Sequence, residues 1–285
     1  LGARTLREAY ASCSDARMMV FAGDLVAEGY DDLLWEEFTD ALGYIPAWIP
    51  VFSVPGNHDA HRPGTEEIAG PHDLYRAHFM FPDNGPQGLE TLEEAAFYVD
   101  FQGVRFIALD GNVFANGDYL PAIREQAKEA QVEWLQGVLK NNPCLWTIVV
   151  VHQPLFSAGK DRDNAAMRSL LTPLLQEGKV DLVLQGHDHY YSRTYKVWDA
   201  QKVESTAPGI VYVTSVTGSK MYSKNPKFEH LMAVMRGDTQ MYQIVEVSNN
   251  ELWFRAYAVG GELVDEFCLH KNADGTTNLQ SVFPQ

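Results

Sequence analysis

Four short polar motifs, each standing directly after a short apolar run, restrict this chain more than any other feature. Gly23-Asp24 follows Met18 to Phe21, Gly56-Asn57-His58-Asp59 follows Val51 to Val54, His152 follows Trp146 to Val151, and Gly186-His187-Asp188-His189 follows Val180 to Leu184. The runs have strand length, and glycine before three of the motifs lets the backbone turn sharply over a sheet edge. The motifs lie far enough apart in sequence for each to end a different strand. Open α/β sheets bind ligands at the carboxyl ends of their strands. One carboxylate (Asp24), one amide oxygen (Asn57) and three imidazoles (His152, His187, His189) are thereby aimed at one place.

The remaining pattern agrees with alternating strands and helices. Asp31 to Leu42 carries Leu34, Phe38 and Leu42 on one helical stripe between the first two strands, giving a βαβ unit. Phe97 to Phe101 and Val104 to Leu109 flank Gln102-Gly103, a hairpin signal. Glu125 to Leu139 reads as a helix, Met167 to Leu175 as another that Pro173 should kink or restart, and Thr5 to Ser12 as a third. Residues 60 to 95, rich in proline and glycine, read as one long loop. After Gly209 the strand candidates are Ile210 to Thr214, Met241 to Val247 and Leu252 to Val259. This order predicts an α/β chain folded as a two-sheet αββα sandwich, in one domain over residues 1 to 285.

Composition narrows the function. With a formal net charge of −16, a phosphate backbone is repelled on average, so no nucleic-acid partner is expected. The longest apolar run, Cys144 to Val151, falls far short of the roughly 18 residues of a membrane span, so none is expected. Cys13, Cys144 and Cys268 form neither a disulfide framework nor a Cys-x-x-Cys metal site. Mixed oxygen and nitrogen donors suit transition metals such as Fe, Zn, Mn or Ni. A carboxylate that can bridge favours two ions, an arrangement that clamps phosphoryl groups and activates water.

The ordered set Gly23-Asp24, Gly56-Asn57-His58-Asp59, Val150-Val151-His152 and Gly186-His187-Asp188-His189 resembles the successive motifs of the calcineurin-like metallophosphoesterases. The resemblance is strongest to the purple acid phosphatase branch. His187 to Thr194 is similar to that branch's HxHxYxRT signature, and Ala96 to Leu109, Trp134 to Pro154 and Val264 to Lys271 resemble its hairpin, helix–strand unit and closing strand. The likeness runs over residues 16 to 271. It implies a phosphatase with two divalent or trivalent transition metal ions acting on a small phosphorylated substrate. A phosphodiesterase or nucleotide hydrolase of the same fold, and a relative without catalysis, are the alternatives. The branch also implies export.

Carried onto this chain, the resemblance has Asp24 bridging both metals, Asn57, His152 and His187 completing one, and His189 binding the other. His58 would protonate the leaving group, oriented by Asp59 or a neighbour, while Tyr191 and Arg193 would line the site in contact with substrate or support it. The loop Ser157 to Asn164, with Lys160 and Arg162, could contact substrate anions, and Asp110 and Asn112 could make supporting contacts. Ala27 stands where the branch has its iron-binding tyrosine, so the purple colour should be absent. The family's first metal motif has no counterpart in residues 1 to 285, and its strand is expected immediately before Leu1. Asp59-Ala60-His61 overlaps the second motif and is a decoy for it. His72, His78, His230 and His270 read as ordinary surface or core residues.

Overall fold

Trp146 to Val151 is apolar but for Thr147 and buried at every position, and such a strand is stable only where both faces are covered. The computed structural model describes residues 2–65, 67–114, 119–159, 162–218, 220–222 and 227–283. It comprises α1 (Gly2–Ser12), β1 (Met19–Phe21), α2 (Asp32–Leu42), β2 (Val51–Ser53), α3 (Asp73–His78), β3 (Phe97–Phe101), β4 (Val104–Leu109), α4 (Pro121–Lys140), β5 (Trp146–Val151) and α5 (Ala165–Glu177). There follow β6 (Leu182–Gln185), β7 (Tyr191–Thr194), β8 (Val197–Trp198), β9 (Gln201–Lys202), β10 (Val211–Thr214), β11 (Met232–Arg236), β12 (Met241–Val247), β13 (Glu251–Ala258), β14 (Leu263–Lys271) and β15 (Thr277–Phe283).

β5 lies inside a seven-stranded sheet of order β11-β7-β10-β6-β5-β4-β3, parallel from β4 through β10 and antiparallel at both ends. On one face Val149 and Val151 pack with Leu135 and Leu139 of α4 and Met167, Leu171 and Leu175 of α5. On the other, Ile148 and Val150 meet Phe254, Phe267 and Leu269 of the antiparallel sheet β12-β13-β14-β15, together with Phe52 and Val54 of the parallel pair β1-β2. Trp35 of α2 and Tyr75 and Phe79 at α3 form a further apolar layer with Val51 of β2. Helix, sheet, sheet and helix are thus stacked in that order.

Several boundaries differ from the sequence reading for identifiable reasons. The fourth helix begins at Pro121 rather than Glu125, because proline suits the first helical turn. Pro173 does not restart its helix: α5 runs through it as one helix, with Pro173 on the exposed face. Residues 60 to 95 are not all loop, since α3 is capped by the His72 side chain, which accepts from Leu74 N at 3.2 Å, and anchored by buried Tyr75. The hairpin forms as read, with Gln102 and Gly103 at φ 49° and 84°, the conformation of a two-residue primed turn. Strands β11 and β15 carry no alternation strong enough to have been singled out.

A buried ion pair joins the sheets. Arg193 of β7 donates through Nε and Nη2 to both oxygens of Asp265 on β14, at 2.7 and 2.9 Å, and Tyr191 OH donates to the same carboxylate at 2.7 Å. A β-bulge in the β13–β14 register lets consecutive Val264 and Asp265 both turn inward. The expectation that Tyr191 and Arg193 contact substrate therefore meets a different placement: both are buried, and their polar atoms are taken up between the sheets.

Behind the second motif lies a network of buried amides. Asp110 Oδ1 accepts from Asn112 N at 3.0 Å, and Gln131 of α4 grips the Asp110 main chain through both its side-chain atoms. Asn112 Nδ2 donates to Gly56 O at 3.3 Å and its Oδ1 accepts from Gln153 at 2.7 Å. Burial raises the Asp110 carboxyl from 3.8 to about 7.

Breaking a buried charge pair by removing one partner leaves the other charge stranded. Arg193→Ala should cost about 3–5 kcal/mol in urea unfolding, while Arg193→Met combined with Asp265→Leu should cost far less; equal losses would assign the seam to packing alone. Folded Asp110 binds its proton more tightly than the unfolded chain does. Its contribution to stability is therefore complete below about pH 4, falls as pH rises towards about 7, and is lost above. Asp110→Asn keeps the acceptor for Asn112 N and should flatten that fall, as compared by urea midpoints at about pH 5 and about pH 8.

Candidate metal centre

The site is assembled from loops that leave strand ends. After β1 the chain turns through Gly23 (φ 84°) and Asp24 (φ 53°), and after β6 through His187 (φ 64°). Left-handed backbone at two residues other than glycine is a strain that surrounding contacts must hold, and such strain clusters at functional sites. Gly23 and Gly56 have no room for a side chain: a Cβ on Gly23 would sit 2.6 Å from Gly56 N and 2.7 Å from His152 Nδ1, and one on Gly56 would run into the Asp24 carboxylate.

Asp24 Oδ2 lies 3.0 Å from His152 Nε2, and His152 Nε2 lies 3.2 Å from His187 Nδ1. One ligand atom from each of the three residues falls within 4.8 Å of the others. His152 Nδ1 donates to Ala22 O at 2.6 Å, so Nε2 is the ring nitrogen that faces Asp24, sharing a proton with the carboxylate and free to ligate once that proton is displaced. The cluster gathers around a positive charge. Against burial, the charge and hydrogen bond of His152, with help from His58, hold the Asp24 carboxyl well below the usual range. Asp24 in turn holds His152 above its ordinary value although burial works the other way. Burial and the neighbouring His152 push His187 well below its ordinary value, so its ring is neutral and able to ligate.

Asn57 and His189 stand apart from this trio. Asn57 Oδ1 is buried without a hydrogen-bond partner, which suits an oxygen that ligates a cation. His189 is half-buried, with Nδ1 donating to Lys220 O at 2.8 Å, and its ring stacks on Tyr222 at 4.4 Å. Burial lowers its pKa, leaving Nε2 as a neutral donor.

The catalytic pair expected from the sequence is not a pair in space. His58 Nδ1 is 2.8 Å from Ala27 O, so a main-chain carbonyl orients the ring, not Asp59. Asp59 is buried and accepts from Leu25 N (2.8 Å) and Val26 N (3.2 Å) through Oδ1 and from Gly56 N (2.8 Å) through Oδ2, tying the first two motif loops together. Burial and the Asp24 charge raise it to about 6. His61, the decoy, is held by Glu28 at 3.1 Å.

Arg162 lies at the rim. Its Nη1 donates to His187 O at 3.4 Å, its Nη2 to Tyr222 OH at 3.2 Å, and its guanidinium covers the Tyr222 ring at 4.7 Å. Lys160, paired with it in the sequence reading, lies outside the described residues. Asp188, in the middle of the last motif, turns away from the trio and accepts from Ser157 Oγ (2.6 Å) and Gly159 N (2.9 Å), fixing the loop that carries Arg162. Tyr222 was not singled out from sequence. The available signal was position alone, because it follows β10, whose carboxyl end lies beside that of β6 in a parallel pair.

Comparison with known proteins agrees with this geometry. The sequence model of the calcineurin-like phosphoesterase family matches residues 3–191. Purple acid phosphatase 21 of Arabidopsis thaliana is 28% identical over 210 residues, covering 70% of this chain and 43% of its own length. Purple acid phosphatase 3 of the same plant is 25% identical over 240 residues, covering 82% and 62%. The solved structure of the purple acid phosphatase PPD1 from yellow lupin (Lupinus luteus) seeds matches with a TM-score of 0.75 at 18% identity, over 96% of this chain and 50% of that one. The chain spans about half the length of the first of these relatives and of the lupin protein. Motif order, the trio of ligand-type side chains at the sheet edge and the matched family model coincide, and the chain belongs to the calcineurin-like phosphoesterase family, in which it is similar to purple acid phosphatases.

Proposed function

We propose that the chain is a metal-dependent hydrolase of small phosphoesters, with phosphomonoesters as its first substrate class. The observation that carries this reading is the convergence of Asp24 Oδ2, His152 Nε2 and His187 Nδ1, with Asn57 Oδ1 buried and unpartnered on the second motif loop. This donor set, oxygen and imidazole without sulfur, fits Fe, Zn, Mn or Ni. In this reading Asp24, Asn57, His152 and His187 hold one ion, and Asp24 with His189 holds a second. When bound, such ions polarise a phosphoryl oxygen and lower the pKa of a water.

The rest is done by the chain itself. Ala22 O holds Nδ1 of His152 and Lys220 O holds Nδ1 of His189, so both rings keep Nε2 turned away from those carbonyls, as the nitrogen that would ligate. His58, with Nδ1 committed to Ala27 O, keeps Nε2 for holding or giving a proton to a leaving oxygen. Arg162 offers a guanidinium to an anionic phosphoryl oxygen, held in plane by Tyr222.

Hydrolysis of a nitrophenyl phosphomonoester and of the matching bis-ester, by chelator-stripped protein refilled with each of the four metals in turn, tests the assignment and sorts monoesterase from diesterase. Loss of residues that merely orient metal ligands costs about 10–100-fold, so His152→Ala and Asn57→Ala should each lose more than about 100-fold with unchanged circular dichroism. Undiminished turnover in either variant would overturn the reading. His189→Ala should halve the bound metal. Arg162→Met should raise KM about tenfold or more, the equivalent of one charge-assisted hydrogen bond, with a smaller change in kcat.

A further inference from the structure

A second group of ligand-type side chains lies on the other sheet, on the face turned away from the core. Glu251 of β13 is directly opposite His270 of β14, and Trp253 opposite Cys268. Glu251, Cys268 and His270 each bring one ligand atom within 4.8 Å of the other two. His270 Nδ1 is 3.3 Å from Glu251 Oε1. On the ring's other side Nε2 is 3.0 Å from Gln280 Oε1 of β15. An amide oxygen only accepts, so Nε2 carries a proton, and Nδ1 is the ring nitrogen turned towards the carboxylate. The second Glu251 oxygen accepts from Trp253 Nε1 at 3.0 Å.

Imidazole and carboxylate are thus each held from behind by a neutral group, the arrangement that orients metal ligands. A proton or a metal ion between Nδ1 and the carboxylate would join the two. The guanidinium on the same face, Arg255, is engaged by Glu246 and Glu266. A proton on Nδ1 would need only the histidine and the glutamate. The sulfur on the same side is a third donor that a proton does not use and a borderline metal ion does.

We propose that Glu251, Cys268 and His270 form a surface site for a divalent cation of the zinc class, separate from the phosphoesterase centre. Zn–N, Zn–O and Zn–S bond lengths put neighbouring donors of a tetrahedral site about 3.3–3.8 Å apart, and the His270–Glu251 spacing is already 3.3 Å. Three protein donors leave the fourth position to water. Such an ion bridges β13 and β14 and raises the unfolding temperature in proportion to its occupancy. Cys268 is buried, and burial together with the Glu251 charge raises its thiol to about 11, which argues against a nucleophilic or redox role for it.

Cobalt(II) titrated into the chelator-stripped full chain tests the site, because a thiolate–cobalt charge-transfer band in the near ultraviolet can arise here and not from the sulfur-free phosphoesterase cluster. The band should saturate at one ion per chain, vanish when Zn²⁺ is added in excess, and be absent in Cys268→Ser and in His270→Ala. Gln280→Leu should raise the cobalt midpoint about 10–100-fold. Phosphoester hydrolysis should be unchanged in all three variants. Absence of the band in the parent chain would overturn the proposal. So would its persistence in His270→Ala, a variant at a half-exposed position, which would trace it to Cys13 or Cys144.

Discussion

The carboxylate of Asp59 is the constraint on which the site depends. It is buried and takes three main-chain N–H groups from two loops that leave different strands, at Leu25, Val26 and Gly56. Those loops carry Asp24 and Asn57, so one side chain sets the relative position of two candidate ligands without touching either's ligating oxygen. Hydrogen bonds to a charged acceptor are stronger than neutral ones. Burial and the nearness of Asp24 work against that charge, and the site is held by the balance.

The same economy recurs at the level of layers. β7 begins two residues after His189, and its inward side chains Tyr191 and Arg193 are fixed by Asp265 in the opposing sheet. The last candidate ligand is therefore anchored to the seam of the sandwich. The seven-stranded sheet supplies His152, His187 and His189, the pair β1-β2 supplies Asp24 and Asn57, and the core between the sheets keeps the two sets in register.

Strand ends and ligand types were legible because both depend on local chemistry: apolar runs of strand length, then glycine, then a polar donor. That signal brings Asp24, His152 and His187 within reach of one another, and the αββα layering follows from the order of elements. What stayed hidden depends on partners distant in sequence. Adjacency suggested that Asp59 orients His58, but the single helical turn His58–Ala60 sends the two side chains in different directions. Alternation along β7 shows that Tyr191 and Arg193 share a face, yet only the bulge at Asp265 reveals which face it is. Tyr222 sits in a segment without periodicity or motif, and its role comes from the ring it stacks on. Helix α3 was hidden by the prolines and glycines around it, because its stability comes from Trp35 and Phe79 rather than from its own six residues.

Three histidines of the site, His58, His152 and His189, are oriented by the main-chain carbonyls of Ala27, Ala22 and Lys220. A carbonyl is present whatever side chain follows it. A substitution at positions 22, 27 or 220 that preserves the backbone path keeps these contacts, so the aim of the rings does not depend on which side chain stands there. Sequence comparison reads side chains, and at these three positions the group that orients the centre is one that no side chain reports.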